Sequence, residues 1–147
     1  MESNLILNES ATSNIKSNTS KIIAHLTKLY YLKGTPYARP GSWIGTVLES
    51  CRDLNEKRKL SDYDNLTDYD IKKIYSDAED IIRKDNPNLN FNISVVTDYF
   101  GNDIKYYSDI DTIVLFLKDV VNDPEVTRLA NDKVIKGFRA KKTILRK

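Results

Sequence analysis

A single cysteine, Cys51, leaves no internal disulfide to be made, and a lone thiol fits a reducing compartment. A single histidine, His25, cannot build a metal site, and no Cys/His cluster surrounds it. No apolar run approaches the roughly 18 residues that a membrane span needs, so no membrane partner is expected. The opening MESNLILNES has neither a basic region nor a long apolar segment, which argues against a secretory signal. The Asn-x-Ser/Thr sequons at Asn8, Asn18, Asn65 and Asn92 therefore carry no expectation of glycosylation. There is no phosphate-binding Gly-rich motif and no Ser-centred nucleophile elbow, and no cofactor is implied. A formal net charge of only +2 does not indicate a uniformly basic nucleic-acid binder.

What remains is an ordinary soluble balance. The 147 residues suit one domain with a real core, and 40% of them are apolar against 30% charged. The bias to Asn, Lys, Ile, Tyr and Asp matches an AT-rich coding sequence, which points to a low-GC bacterium or its phage.

Along the chain, residues 8–20 are short and polar. Such side chains compete with the backbone and make poor helix interiors, so residues 1–20 read as a flexible N-terminal arm. From Lys21 the pattern changes. Ile22, Ile23, Leu26, Leu29 and Tyr30 recur at helical spacing, with Thr19 or Ser20 as the cap and Gly34 as the stop. GTPYARPG is a loop by composition. Ser42 then reads as an N-cap, ahead of the stripe Trp43, Ile44, Val47, Leu48, Cys51 and Leu54. Thr67 and Asp70 resemble a capping box, and a helix is expected from about Asp68 to Lys84.

Phe91, Ile93 and Val95 alternate with polar residues, and Gly101-Asn102 is a hairpin-type dipeptide. A β-hairpin is therefore expected near residues 91–107. Ser108 is positioned to cap DIDTIVLFLKDVV, where Ile110, Ile113, Val114, Leu117 and Val121 have helical periodicity, although TIVLFL alone also fits a strand. Pro124 suits the first turn of a short helix to about Asn131. The last fifteen residues, KVIKGFRAKKTILRK, hold seven bases and no acid, interleaved with Val134, Ile135, Phe138, Ile144 and Leu145. The expected architecture is mainly α: a small helical bundle over 21–132 with one β-hairpin and extended termini, the arms being 1–20 and the basic amphipathic segment 133–147.

Each chemical candidate has a plainer reading beside it. Cys51 and His25 are a conceivable thiolate couple, but both fall within apolar helical patterns, and buried cysteines are usually inert. Asp62, Asp64, Asp68 and Asp70 suggest calcium, yet the glycine and the closing glutamate of an EF-hand loop are missing, so helix capping is the better reading. Asp109 and Asp111 follow the same logic. The nine tyrosines, spread over the chain, suit core and contact roles better than a nucleic-acid stacking platform. No catalytic, cofactor-binding or metal-ligating residue is assigned.

HLTKLYY, from His25, followed by RPGSWIGTVLESCR, resembles the bacterial family called domain of unknown function twenty-nine. The matching residues are His25, Leu26, Lys28, Tyr31, Arg39, Ser42, Trp43, Thr46, Val47 and Arg52, with Tyr75 and Ala78 in a later Tyr-x-x-Ala helix. The likeness covers about residues 22–84. It departs in a longer loop before Ser42, in Arg52 standing about one residue late, and in having no counterpart for the hairpin or the basic tail. The resemblance implies a small helical fold and no established activity. Physically, Ser42, Trp43 and Arg52 read as structural anchors, with Arg39 or Arg52 bonding helix-end carbonyls.

The functional expectation is a non-catalytic subunit of a larger protein assembly, in a bacterial cytoplasm or a virion. A homo-oligomeric ring such as a phage head–tail connector fits this plan. The partner-binding residues are then Lys133, Lys136, Phe138, Arg139, Lys141, Lys142 and Arg146. The alternative is a small nucleic-acid-binding or regulatory protein using the same basic segment. Against it stands the middle of the chain, where eight acids face four bases between Asp62 and Asp85.

Overall fold

The computed structural model describes residues 2–57, 66–101 and 103–121, together with Val126 and Arg128; side chains are described from Ser13 on, Lys57 and Val121 excepted. Helix α1 spans Glu2–Leu32, α2 Pro40–Lys57, α3 Asp68–Asp85, the single turn α4 Ser94–Thr97, and α5 Ile110–Val121. A 3₁₀ helix, Ile104–Ser108, lies between α4 and α5.

Helix α1 is the mast of the fold and packs against every other element. Its 31 residues make it about 46 Å long. Gly34 stops the helix at φ 78°, a conformation costly for any residue with a Cβ. A short turn follows, and α2 runs back antiparallel to α1. Helix α3 runs parallel to α1, because Lys16 meets Asp70, Ser20 meets Ile74 and Lys28 meets Asp85 in the same order along both chains. The core between them is aliphatic. Ile15, Ile22, Leu26 and Leu29 of α1 face Ile44, Val47, Cys51 and Leu54 of α2, and Ile74, Ala78 and Ile82 of α3. Each fully buried Ile or Leu contributes about 1.5–3 kcal/mol.

Three expectations about helix starts are corrected. Residues 2–20 are part of α1 and not a flexible arm. Over the side chains that are described, from Ser13 on, packing offsets weak intrinsic propensity: Ile15 is fully buried, and the buried Ser20 hydroxyl donates to the Ile74 carbonyl of α3 at 2.8 Å. Ser42 does not cap α2. The helix opens at Pro40, whose fixed φ and missing N–H suit a first turn, and the Trp43 N–H donates to the Arg39 carbonyl at 3.0 Å. Ser108 does not cap α5 either, since its hydroxyl donates back to the Lys105 carbonyl. Asp109 takes that role, its carboxylate accepting from the Asp111 N–H at 3.1 Å and the Thr112 hydroxyl at 2.9 Å. The third helix starts as expected: Thr67 and Asp70 form a reciprocal capping box.

The hairpin near residues 91–107 is overturned, because no strand occurs among the described residues. The backbone bonds there are local. Val96 and Thr97 donate to Ile93, Phe100 to Val96, and Asp103 to Phe100. Side chains close the remaining turns, with Asn92 accepting from the Ser94 N–H and Asp103 from the Lys105 N–H. Such Asx turns compete directly with a ladder. Gly101 has the positive φ expected of a turn, 62°, but the turn joins α4 to the 3₁₀ helix. The buried set is Ile93, Val96, Phe100, Ile104 and Tyr107, spaced three or four apart, whereas the alternating Phe91 and Val95 are only partly buried.

The segment 133–147 lies outside the described residues, as do Asp62 and Asp64. The short helix expected after Pro124 does too, apart from Val126 and Arg128, which are helical.

Candidate functional site: a groove beside His25 and the anchors around it

Between α1 and α2 runs an open groove of about 720 Å³, lined by Asn18, Lys21 and His25 from α1 and by Ser42, Thr46, Glu49 and Asp53 from α2. The α1 residues recur every three or four positions, so one face of that helix supplies the wall. Gly45 opens the opposite wall, where an added Cβ would meet nothing within 4 Å.

The state of His25 follows from its partner. Its Nδ1 lies 2.7 Å from the Lys21 carbonyl oxygen. A carbonyl only accepts, so Nδ1 carries the proton in the neutral ring and Nε2 keeps its lone pair. Burial lowers the pKa of the ring, with the Lys28 and Lys21 ammonium groups acting in the same direction and the Lys21 carbonyl and the Asp85 carboxylate opposing. His25 is therefore a neutral proton acceptor at pH 7, held by a backbone oxygen. Cys51 is fully buried and does not join the groove lining, so the thiolate couple is not assembled. The Thr46 hydroxyl is occupied by the Ser42 carbonyl at 3.1 Å. Among the described residues, no group of three or more His, Cys, Asp or Glu side chains could hold a metal ion, and no helix is long and apolar enough to cross a membrane.

The remaining residues of the HLTKLYY and SWIGT stretches make internal contacts. Lys28 is only 3% exposed. Its ammonium lies 4.6 Å from the centre of the Trp43 ring and 3.0 Å from the Asp85 carboxylate. One cation thus joins α1 to the start of α2 and the end of α3. Tyr31, one turn further, accepts from the Asn92 N–H at 3.1 Å and faces the Asn92 carbonyl at 3.5 Å, fixing the chain that leads to α4. Lys33 donates to the Val120 carbonyl at 2.5 Å, tying the end of α1 to the end of α5. Lys28, Tyr31 and Lys33 therefore fasten α2, α3, the segment leading to α4, and α5 to one end of α1.

The expected anchors divide. Trp43, at 8% exposure, is one. Ser42 is exposed on the first turn of α2. Arg52 pairs with Glu49 one turn back on its own helix at 2.6 Å, and the exposed Arg39 guanidinium has no partner among the described residues, so neither bonds a helix-end carbonyl. Sequence reasoning missed Asp85, Asn92 and Lys33. Asp85 and Asn92 flank the DNPNLN break, where no periodicity marks a side chain as facing inward.

No family model, curated protein or solved structure matches the chain.

Proposed function

We propose that the chain is a non-catalytic interaction subunit of a larger protein assembly, on the plan of a phage head–tail connector ring, working in a bacterial cytoplasm or a virion. The observation that carries this reading is the division of charge. Residues 133–147 hold seven of the 23 bases and no acid, which leaves 16 bases against all 21 acids in residues 1–132, a net charge of −5. A body of one sign bearing a terminal segment of the other, with five apolar residues in that segment, favours head-to-tail contact between copies. Contacts of this heterologous kind close into rings when the rotation permits. The likeness of residues 22–84 to domain of unknown function twenty-nine adds a helical frame and no chemistry. His25 is oriented by the Lys21 backbone carbonyl and not by a carboxylate, which favours the non-catalytic reading.

Deletion after Asp132 tests the reading. The expected result is an unchanged melting temperature together with loss of self-association, followed by sedimentation. A truncated chain that still assembles but has lost a strongly salt-dependent affinity for DNA or RNA would establish the nucleic-acid alternative instead.

A further inference from the structure

Helix α5 is filled on its core side and unfinished on the other. Ile113, Val114, Phe116 and Leu117 are buried, yet Leu115 between them is 58% exposed. Asp111 and Asp119 are exposed as well, and with Leu115 they stand four residues apart, in one stripe along the helix. Tyr99 borders that stripe. Its ring meets Phe116 edge-on at 4.8 Å, it is 44% exposed itself, and the Asp119 carboxylate lies beside its hydroxyl. Asp98, next to it, is exposed. Asp98, Asp111 and Asp119 are the exposed acids of this face, beside one exposed base, Lys118, while Asp103 lies with Lys105 and Asp109 caps α5. An apolar centre of leucine and tyrosine inside an acidic rim is the complement of a segment that alternates bases with Val, Ile, Phe and Leu.

We infer that this α5–Tyr99 face receives the C-terminal segment 133–147 of a second copy of the chain. The inference rests on the assembly reading above and gives that contact its acceptor surface. The segment's seven bases and no acid complement the acids of this face, and the assembly reading calls for contact between copies. Each copy then offers one donor segment and one acceptor face, the arrangement that a closed ring needs. Apolar contact supplies the attraction at Leu115 and Tyr99, and the acids set orientation and encounter rate.

The test uses the full chain. Sedimentation should find an oligomer that dissociates in excess synthetic peptide of residues 133–147 and weakens as salt rises. The double variant Leu115→Lys, Asp119→Lys should be monomeric, with at least a tenfold loss of peptide affinity by fluorescence anisotropy. Both side chains are exposed, so its melting temperature should stay within a few degrees of the parent; the milder Leu115→Ser should show the same defect in smaller measure. If deletion after Asp132 abolishes the oligomer while both α5 variants leave it intact, the inference fails and the assembly reading survives. A full chain that is monomeric at every concentration and does not bind the peptide removes both. Cross-linking of Lys136 or Lys141 to Asp119 within one copy of a monomeric chain would overturn the second-copy contact in favour of self-docking.

Discussion

Between α1, α2 and α3 the core is built from many aliphatic side chains at regular spacing, each contributing a little. Between Phe91 and Val121 aliphatic side chains such as Ile93, Val96, Ile104, Ile110, Ile113 and Leu117 are joined by a cluster of rings. Phe100 meets Tyr99 at 5.0 Å, Tyr107 at 4.7 Å and Phe116 at 5.6 Å between ring centres. The backbones differ in the same sense. Long helices satisfy their own amides, leaving side chains free to pack. The short elements spend Asn92, Asp103 and Asp109 on their own backbone, and the ring cluster links them to α5. Contributions spread along three long helices should be lost gradually, whereas loss of the one ring that touches three others should be felt across the short elements together.

Two large-to-small substitutions measure that contrast, and they have the largest expected effects. Phe100→Ala removes the ring that three others touch and should cost about 3–5 kcal/mol. The loss should be local first: amide exchange should rise across 94–118 while α1, α2 and α3 stay protected. Trp43→Ala should cost a similar amount, toward the lower end of about 3–5 kcal/mol, because the side chain keeps some exposure. Its effect should spread over all three long helices, since Lys28 loses the ring that covers it. Uniform exchange in both variants would erase the distinction between the two regions.

Lys28→Met comes next. It keeps the aliphatic stem and removes the charge that touches Trp43 and Asp85. Asp85 is 46% exposed at its side chain and stays hydrated without its partner. The loss is therefore about 1–2 kcal/mol, the sum of a buried cation–π contact and a weak, half-exposed ion pair. A chemical-denaturation loss above twice that range would mean that the ammonium carries interactions beyond these two.

Regularity also decided what was legible in the sequence. Helix α3 was readable to within a residue, because Ile74, Ala78 and Ile82 keep the helical period and Thr67 with Asp70 forms a local start signal. The stripe on α2 was readable for the same reason, though its start was not, since Pro40 and Ser42 are both good openers and only the fold chooses between them. The polar first half of α1 was hidden, because its helix depends on α3, more than fifty residues away, through Ser20 and Lys16. The 91–107 region was misread because three alternating residues, Phe91, Ile93 and Val95, mimic a strand over a stretch too short to show the spacing from Val96 to Tyr107. Of the groove, His25 was visible as a singular residue, but its tautomer and its neutral state come only from the Lys21 carbonyl and from burial. The expected partner-binding residues, Lys133 to Arg146, lie outside the described residues, and the α5 face was hidden because TIVLFL is so densely apolar that Leu115, off the helical stripe, also fits a strand.

Thr67→Ala probes the scaffold side with a smaller effect. It removes the hydroxyl that accepts from the Asp70 N–H at 3.1 Å. A lost N-cap costs about 1 kcal/mol, read as a shift in the denaturation midpoint with an unchanged slope. A loss near zero would mean that packing of Ile74 and Ile82 alone fixes the start of α3.

The smallest effect lies in the pH dependence of stability, and its sign is fixed by direction alone. Burial lowers the His25 pKa in the folded chain below its ordinary value of 6.5. The unfolded chain therefore takes up a proton that the folded chain resists. Stability from this residue is fully present above about pH 6.5 and is lost as pH falls through the folded value. Asp70 acts in a separate window. Its carboxyl is held below the ordinary 3.8 chiefly by the Thr67 N–H, helped by the Thr67 hydroxyl and Lys16. That contribution persists through mild acid and disappears only as pH falls below about 4. Denaturation between pH 7.5 and 5 should thus show a downward slope toward acid that His25→Gln flattens and Asp70→Asn leaves unchanged. The charged groups facing the ring are Lys21, Lys28 and Asp85, and the His25→Gln variant leaves all three in place, so a slope that it flattens belongs to the imidazole. A slope that survives His25→Gln would mean that the ring is not held neutral in the groove, and the proton acceptor assigned to Nε2 would go with it.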